Sequence, residues 1–172
     1  NTGMGIKLGA SYKSPQSFSN FDFKNKYLNG SIAPNVSFKM NYPAIISGGI
    51  GYSKNKIDLA VDYRFVNYAS TAGFKEKGWT NTFSVAGFGW KNVSIVSAGF
   101  QYKGINKLPL RVGYTFSSNP ISSELAFFSI PATAVIKNAF QFGVGYEYNN
   151  RFNLNATYHH GSSCGSTRGP LL

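Results

Sequence analysis

The stretch VSFKMNYPAIISGGIGY, residues 36–52, decides the predicted fold of this chain. Apolar side chains fall on every second position of the stretch: Val36, Phe38, Met40, Tyr42, Ala44, Ile46, Ile50 and Tyr52. The positions between them hold mostly polar residues and glycine. A period of two residues is typical of a β-strand with one apolar face. Because strands of soluble sandwiches are usually about 5–6 residues long, the stretch predicts an unusually long strand, with Pro43 at a bulge or bend.

The same alternation recurs along the whole chain. It is found at residues 4–12, 17–26, 57–68, 92–102, 108–116, 139–148 and 152–160. Aromatic residues make up 16% of the chain, and charged residues only 13%, against about 25% in a typical soluble domain. The eight alternating segments predict about eight strands. No run of 18 apolar residues exists, so no transmembrane helix is predicted.

The predicted connections alternate between short and long. Short turns are expected at 13–16, 53–56, 103–107 and 149–151, and long connections at about 27–35, 69–91 and 117–138. In an antiparallel meander this alternation places every short turn at one rim and every long loop at the other, as in outer membrane barrels. We therefore predict an all-β fold, an antiparallel up-and-down transmembrane β-barrel, with strands over residues 1–160.

A tyrosine precedes each predicted short turn. These are Tyr12, Tyr52, Tyr102 and Tyr148, all on the apolar face of their strands. Amphipathic rings at one height form an interfacial girdle around a membrane barrel. The four tyrosines are predicted to form such a membrane-interface girdle, with their side chains outward.

The net charge is +11, from 17 Lys and Arg against 6 Asp and Glu. Much of the excess lies in the predicted turns and loops, where it is solvated and close to lipid headgroups. Nucleic-acid binding needs cations and aromatic rings on the same surface, whereas here they alternate between opposite faces. Nucleic acid is therefore not expected as a partner.

Residues for catalysis or metal binding are scarce. No GxSxG, HExxH or P-loop motif is present, and the chain has two histidines and one cysteine. We expect neither an enzyme, nor a cofactor, nor a metal site.

The polar face has candidate ligand-binding cations in Lys39, Arg64 and Arg111. They could fill the barrel interior with salt bridges, Arg111 for instance pairing with Glu147. Alternatively, one or two of them could meet an anionic head group, since the planar guanidinium of arginine binds a carboxylate through two hydrogen bonds.

The long connection 117–138 is unusually apolar for an exposed loop. Its apolar residues include Phe127, Phe128, Ile130 and Pro131. Exposed apolar patches usually mark binding surfaces. The segment is predicted either to pack on neighbouring loops over the barrel mouth or to collect a hydrophobic substrate.

The order of several short motifs resembles the FadL-type long-chain fatty-acid transporters (OMPP1/FadL/TodX). The motifs are Tyr42-Pro43-Ala44, Gly48-Gly49-Ile50-Gly51-Tyr52, Leu59-Ala60-Val61-Asp62-Tyr63, Leu110-Arg111-Val112-Gly113-Tyr114, Asn119-Pro120-Ile121, Gly143-Val144-Gly145-Tyr146 and Leu154-Asn155-Ala156-Thr157-Tyr158. The resemblance implies a fourteen-stranded barrel of which this chain is a C-terminal fragment and an open sheet. The N-terminal hatch and the closing strand would be absent, and residues 161–172 would start an extracellular loop.

The resemblance also implies a function and a location. The expected function is passive uptake of long-chain fatty acids or other hydrophobic small molecules through the bacterial outer membrane. Expected partners are that hydrophobic ligand, outer membrane lipid and lipopolysaccharide, with the protein as a monomer. The alternatives are a stand-alone eight-stranded structural or adhesive barrel, in which strands 4–12 and 152–160 pair, and a soluble lipid-binding barrel with its apolar face inward.

Overall fold

The computed structural model describes residues 5–80, 85–126, 129, 136–149 and 151–163. These residues form eleven strands and one 3-10 turn, Ser123–Leu125. The strands are β1 (Ile6–Lys13), β2 (Phe21–Lys26), β3 (Ile32–Phe38), β4 (Ile45–Lys54), β5 (Ile57–Val66), β6 (Lys77–Trp79), β7 (Val85–Phe88), β8 (Val93–Tyr102), β9 (Leu110–Ser117), β10 (Ile136–Asn149) and β11 (Phe152–Ser163). Within this part of the chain, no helix is long and apolar enough to cross a membrane.

Seven of these strands form one antiparallel sheet in the order β1-β4-β5-β8-β9-β10-β11. Each strand pairs with the sheet strands before and after it along the chain, which is the order of an up-and-down meander. The pairs β2–β3 and β6–β7 are separate hairpins, inserted between β1 and β4 and between β5 and β8. The predicted all-β antiparallel fold is confirmed.

The register brings the apolar positions of neighbouring strands onto one face. One row runs through Tyr52, Leu59, Phe100, Val112, Phe142 and Tyr158 across six strands. This face is uncovered even in the middle of the sheet, where the side chains of Val112 and Phe142 are 46% and 55% exposed. Because the register of a sheet sets which face each side chain occupies, the alternation seen in the sequence becomes a continuous apolar surface.

The strands at the centre of the sheet are long enough to cross a bilayer. β4, β5 and β8 each have 10 residues, and a transmembrane strand tilted by about 45° needs roughly 9–11. We call the edge with the β4–β5, β8–β9 and β10–β11 turns the short-turn rim, and the opposite edge the long-loop rim.

The two outer strands of the sheet are β1 and β11. Within the described residues they do not pair with each other, which agrees with the prediction of an open part of a larger barrel. A closed eight-stranded barrel requires that pairing, so the described strands do not form the predicted alternative.

The predicted continuous strand 36–52 is wrong in one respect. β3 ends at Phe38 and β4 begins at Ile45, with Pro43 in the break between them. There Asn41 donates its backbone N–H to the carbonyl of Ala72, and Gln16 and Tyr42 exchange a pair of backbone hydrogen bonds. Pro43 has no N–H to donate to a sheet partner and restricts the backbone of the residue before it, so the hydrogen-bond ladder is interrupted there. The apolar alternation of the sequence nevertheless continues across this break.

This break changes the first connection. The predicted short turn 13–16 is the beginning of the long connection from β1 to β4, and β2 pairs with β3 rather than with β1. The main sheet therefore has seven strands instead of about eight. The short turns at 53–56 and 103–107 are confirmed, and β11 extends to Ser163, beyond the predicted boundary at residue 160.

Candidate functional site

The face opposite the apolar surface is polar and forms the wall of the candidate site. One of its rows, near the short-turn rim, aligns Asp58, Gln101, Arg111, Gly143 and Thr157 across five strands. The hydroxyls of Ser97 and Thr115, on the same face, lie 3.2 Å apart and share a hydrogen bond. In a closed barrel with its apolar face toward lipid, this face lines the interior.

Arg111 lies near the short-turn end of this wall and is held by two strands. Its Nε donates to Oε1 of Gln101 on β8 at 2.8 Å, and its Nη1 donates to Oδ1 of Asn155 on β11 at 2.8 Å. The side chain reaches Asn155 by passing over β10. Two N–H groups of the guanidinium are thereby fixed, which orients the group and lowers the entropy lost when a ligand binds.

Glycines on β10 make this path possible. A Cβ atom at Gly145 would lie 3.0 Å from Oδ1 of Asn155 and 3.4 Å from Nη1 of Arg111, and one at Gly143 would lie 3.3 Å from Cβ of Arg111. These glycines have ordinary backbone conformations, so the space above them, rather than a positive φ, explains them. They provide the channel in which the arginine lies.

The polar face around Arg111 forms a shallow depression of about 370 Å³. Its polar lining consists of Asp58, Gln101, Arg111, Gln141 and Thr157. The acid in this lining already has partners, since Asp58 forms an ion pair with Lys103 at 2.7 Å and accepts a hydrogen bond from the hydroxyl of Ser53 at 2.5 Å.

Arg111 itself has only neutral partners among the described residues. The two ion pairs found in this part of the chain are Lys103–Asp58 and Lys75–Glu76. The alternative in which Glu147 neutralises Arg111 is therefore not formed among the described residues. Among the described residues, no carboxylate forms an ion pair with the half-buried guanidinium of Arg111.

The other two predicted cations lie elsewhere. Arg64 is on the polar face of β5, but six positions nearer the long-loop rim than Asp58, or about 20 Å along the strand. Lys39 was expected on the polar face of a strand and instead lies in the break after β3, exposed at the long-loop rim. The structure thus does not bring Lys39, Arg64 and Arg111 together.

The long-loop end of the wall has a different chemistry, because aromatic rings pack there. The ring centroids of Phe74 and Trp90 are 5.0 Å apart, and those of Tyr68 and Trp90 are 5.1 Å apart. Phe88 lies 5.7 Å from Phe74, and Phe38 lies 6.5 Å from Phe88. We call these five rings the mouth cluster. Burial raises the pKa of the Tyr68 hydroxyl above its ordinary value, and the nearby Tyr42 adds to the shift.

The strand residues that flank the mouth cluster are among the most buried apolar residues in the described part of the chain. Val66 and Val93, where the connection 67–92 leaves and re-enters the sheet, are each 6% exposed. Both belong to the polar face by position but are apolar, so this face becomes a small hydrophobic core where the loops begin.

The apolar connection 117–138 is tied to this cluster. Ser129 is fully buried, and its hydroxyl accepts a hydrogen bond from Nε1 of Trp90 at 3.0 Å. Nearby, the backbone N–H of Lys91 donates to the carbonyl of Pro120 at 2.9 Å. Phe127, Phe128, Ile130 and Pro131 lie outside the described residues.

The predicted tyrosine girdle is wrong for Tyr12. Tyr52 and Tyr102 lie on the apolar face near the ends of β4 and β8, at the short-turn rim, and Tyr148 lies near the same rim at the register shift close to the end of β10. Tyr12 pairs with Ile46 at the other end of the sheet. The error follows from the first connection, because β1 ends at the long-loop rim instead of at a short turn.

Sequence reasoning missed Gln101 and Asn155 as partners of Arg111, and it missed the mouth cluster. Asn155 is 44 residues from Arg111 along the chain, and only the register of β9, β10 and β11 brings the two side chains within hydrogen-bonding distance. The density of aromatic residues between 68 and 90 was a visible signal for the cluster. Among the described residues, no group of three or more His, Cys, Asp or Glu side chains could hold a metal ion.

Comparison with known proteins identifies similar chains. A family model described as outer membrane protein transport protein (OMPP1/FadL/TodX) matches residues 4–165. No curated protein matches the chain at a significant level.

Solved structures share the fold. The TodX deltaS2S3 mutant, a monoaromatic hydrocarbon channel, aligns with a TM-score of 0.62 and 19% identity, over 90% of this chain and 40% of that one. The TodX deltaS2 mutant gives 0.60 and 19%, over 92% and 40%. The toluene transporter TbuX of Ralstonia pickettii gives 0.52 and 16%, over 88% and 37%. This chain therefore spans about 40% of the length of these channels.

Proposed function

Because this chain belongs to the OMPP1/FadL/TodX family of outer membrane transport proteins, we propose that the complete protein is a channel for passive uptake of hydrophobic small molecules. We propose a long-chain fatty acid as its ligand and the outer membrane of a Gram-negative bacterium as its location. The observation that carries the proposal is the sheet with two unlike faces, an uncovered apolar face and a polar face with an oriented, unneutralised Arg111.

The apolar face supports the membrane location. Its side chains include Leu59, Val112 and Phe142, which are 45%, 46% and 55% exposed although they lie inside the sheet. Each Å² of apolar surface left in water costs roughly 25 cal/mol, and monomeric soluble proteins rarely expose patches of this extent. Lipid removes that cost, so the face fits the outside of a barrel.

The depression around Arg111 supports a ligand with a carboxylate. A carboxylate resists leaving water unless a cation meets it. Arg111 offers a charged group already oriented by Gln101 and Asn155, with no acid attached to it among the described residues. A neutral aromatic hydrocarbon, of the kind named for TodX, accepts no ion pair from such a group and gains at most a weaker cation–π contact.

The mouth cluster and the apolar segment 127–131 support capture at the opposite end. Arg111 is the second residue of β9, and the connection to that segment begins after Ser117, about 20 Å along the strand. A long acyl chain gains about 0.8 kcal/mol for each methylene it buries, so an apolar loop can hold it without polar contacts. The loop would collect the tail, and Arg111 would retain the carboxylate further along the wall.

The test uses the full-length transporter with Arg111→Ala, with Arg151→Ala as a matched control in the exposed turn after β10. We expect Arg111→Ala to weaken oleate binding by about ten- to a hundredfold, the size of a charge-assisted hydrogen bond, while toluene binding stays at the wild-type level. Oleate binding is measured by calorimetry or by displacement of a fluorescent fatty acid, and uptake in cells.

The loop is tested by Phe127→Ser combined with Phe128→Ser. This variant should slow uptake of both ligands by weakening capture. Resistance of the protein to heat in detergent checks that the barrel is still folded. Wild-type oleate binding in Arg111→Ala would remove the carboxylate assignment. Failure of the wild-type protein to take up either ligand would remove the channel proposal.

A further inference from the structure

The β2–β3 hairpin has exposed apolar side chains that none of the described residues covers. Leu28 at its tip is fully exposed, and Ile32 next to the tip is 84% exposed. Phe21, Phe23 and Tyr27 are each more than half exposed. A two-stranded hairpin is marginally stable alone in water, so a surface of this kind needs a partner.

The tip is fixed by its own hydrogen bonds, which hold Leu28 outside. Tyr27 donates its backbone N–H to the carbonyl of Ser31 and accepts one from Gly30, both at 2.9 Å. The side chain of Asn29 accepts from the backbone N–H and the hydroxyl of Ser31, and Gly30 has the left-handed φ of +83° that the turn requires. Leu28 therefore does not fold back onto the hairpin.

The base of the hairpin is anchored at the long-loop rim. Gln16 and Tyr42 exchange backbone hydrogen bonds, and Phe18 donates its N–H to Oδ1 of Asn41 at 3.1 Å. Asn41 donates in turn to the carbonyl of Ala72, which lies in the connection after β5. The hairpin thus stands on the same rim as the mouth cluster.

The hairpin and its flanks are basic. Residues 13–39 contain Lys13, Lys24, Lys26 and Lys39 against a single acid, Asp22, which makes a formal charge of 4 − 1 = +3. All four lysines are exposed, and none forms an ion pair among the described residues. Cations beside exposed apolar side chains are the chemistry of a surface that binds anionic lipid.

We infer that the β2–β3 hairpin docks onto lipopolysaccharide in the outer leaflet, with Lys24 and Lys26 at the lipid A phosphates and Tyr27, Leu28 and Ile32 against its acyl chains. The inference rests on the proposed function, in which ligand is captured from outside at the long-loop rim, so that this rim would face the cell exterior. A fatty acid offers one charge, whereas lipopolysaccharide offers several phosphates beside packed acyl chains, which matches both features of the hairpin.

The first test places a probe at the tip. The full-length protein with C164S and L28C is labelled with the environment-sensitive dye NBD and reconstituted in three membranes. These are bilayers with lipopolysaccharide, bilayers with phosphatidylglycerol at equal charge, and phosphatidylcholine alone. We expect a blue shift of NBD emission and protection from iodide quenching in the first membrane only.

The second test measures the charge contribution. Lys24→Glu with Lys26→Glu should lower the lipopolysaccharide retained per protein by about tenfold or more, because each lysine near an anionic surface contributes appreciably to binding. The matched control is Lys91→Glu, an exposed lysine on the same rim outside the hairpin, which should retain the wild-type amount.

Three results would overturn the inference. Protection of the probe in detergent without lipid would show that another part of the protein covers the tip. Equal protection by phosphatidylglycerol would show a general affinity for anionic lipid. Retention of lipopolysaccharide by Lys24→Glu with Lys26→Glu at the wild-type level would exclude the charge contact. Oleate binding by the wild-type protein is measured alongside, so that failure of the docking and failure of the channel proposal are separate results.

Discussion

The two ends of the polar wall are held together by different chemistry. At the short-turn end, Arg111 is fixed by single hydrogen bonds to neutral amides, over glycines, in a depression open to solvent. At the long-loop end, Tyr68, Phe74, Phe88 and Trp90 pack against one another next to the buried Val66 and Val93. The difference shows that one sheet face supports both a polar site and an apolar core, depending on which loops fold over it.

The comparison also suggests a division of work along the wall. Under the proposed function, the apolar end would make the first contact with a hydrophobic ligand, and the polar end would retain its charged group. Substitutions at the two ends should therefore have separable effects on loop stability and on ligand affinity.

The largest effect is expected from Trp90→Ala, which removes the ring at the centre of the mouth cluster. Losing a packed Trp side chain typically costs about 3 kcal/mol or more. Because the strands remain paired, the loss should be local to the connection 67–92. Hydrogen exchange by mass spectrometry should show faster exchange there, with β9 and β10 unchanged. Unchanged exchange in the loop would mean that the cluster does not hold it.

An intermediate effect is expected from Gly145→Ala at the other end. The added methyl would lie 2.8 Å from Cγ of Pro109 and 3.0 Å from Oδ1 of Asn155, so the Arg111–Asn155 hydrogen bond should be displaced. We expect about a tenfold loss of oleate affinity, or about 1.4 kcal/mol. Gly9→Ala is the matched control, because a Cβ there meets nothing within 4 Å and Gly9 does not line the depression around Arg111. Equal affinities of the two variants would contradict the role given to Gly145.

The smallest effect is expected from Ser129→Ala, which removes the acceptor for Nε1 of Trp90. A buried indole N–H left without a partner costs about 1–3 kcal/mol at most, and access of water to the N–H lowers that value to about 1 kcal/mol. The fluorescence of Trp90 should shift, measured in a background in which Trp79 is replaced by Phe. Oleate affinity at Arg111 should stay at the wild-type level, and a change there would show that the two ends are coupled.

Strand prediction succeeded where a strand of the main sheet has one apolar and one polar face. β5, β8 and β9 follow the alternation closely, because a period of two is imposed by the backbone itself. It failed at residues 36–52, where the alternation continues through Pro43 although the ladder stops. Side-chain alternation reports which face a residue occupies, and it contains no information about which strand is the partner. Tyr12 was misplaced for the same reason.

The candidate site was predictable in part. Arg111 was identifiable as a cation on a polar face, since its position relative to Leu110 and Val112 determines its side of the sheet. Its partners Gln101 and Asn155 were not, because they depend on the register of three strand pairs.

The fold class, the two faces of the sheet and most of the residues on each follow from the sequence alone, because strand periodicity is a local property of the backbone. The three-dimensional structure was needed to show that β2 and β3 leave the sheet as a hairpin and that the connection 67–92 packs its rings at one end of the wall. It was also needed to show that Arg111 reaches across β10 to Asn155. Each of these depends on contacts between residues distant in the chain. Such contacts depend on the register of the strands and on the space left at glycine positions, and the local alternation of residues predicts neither.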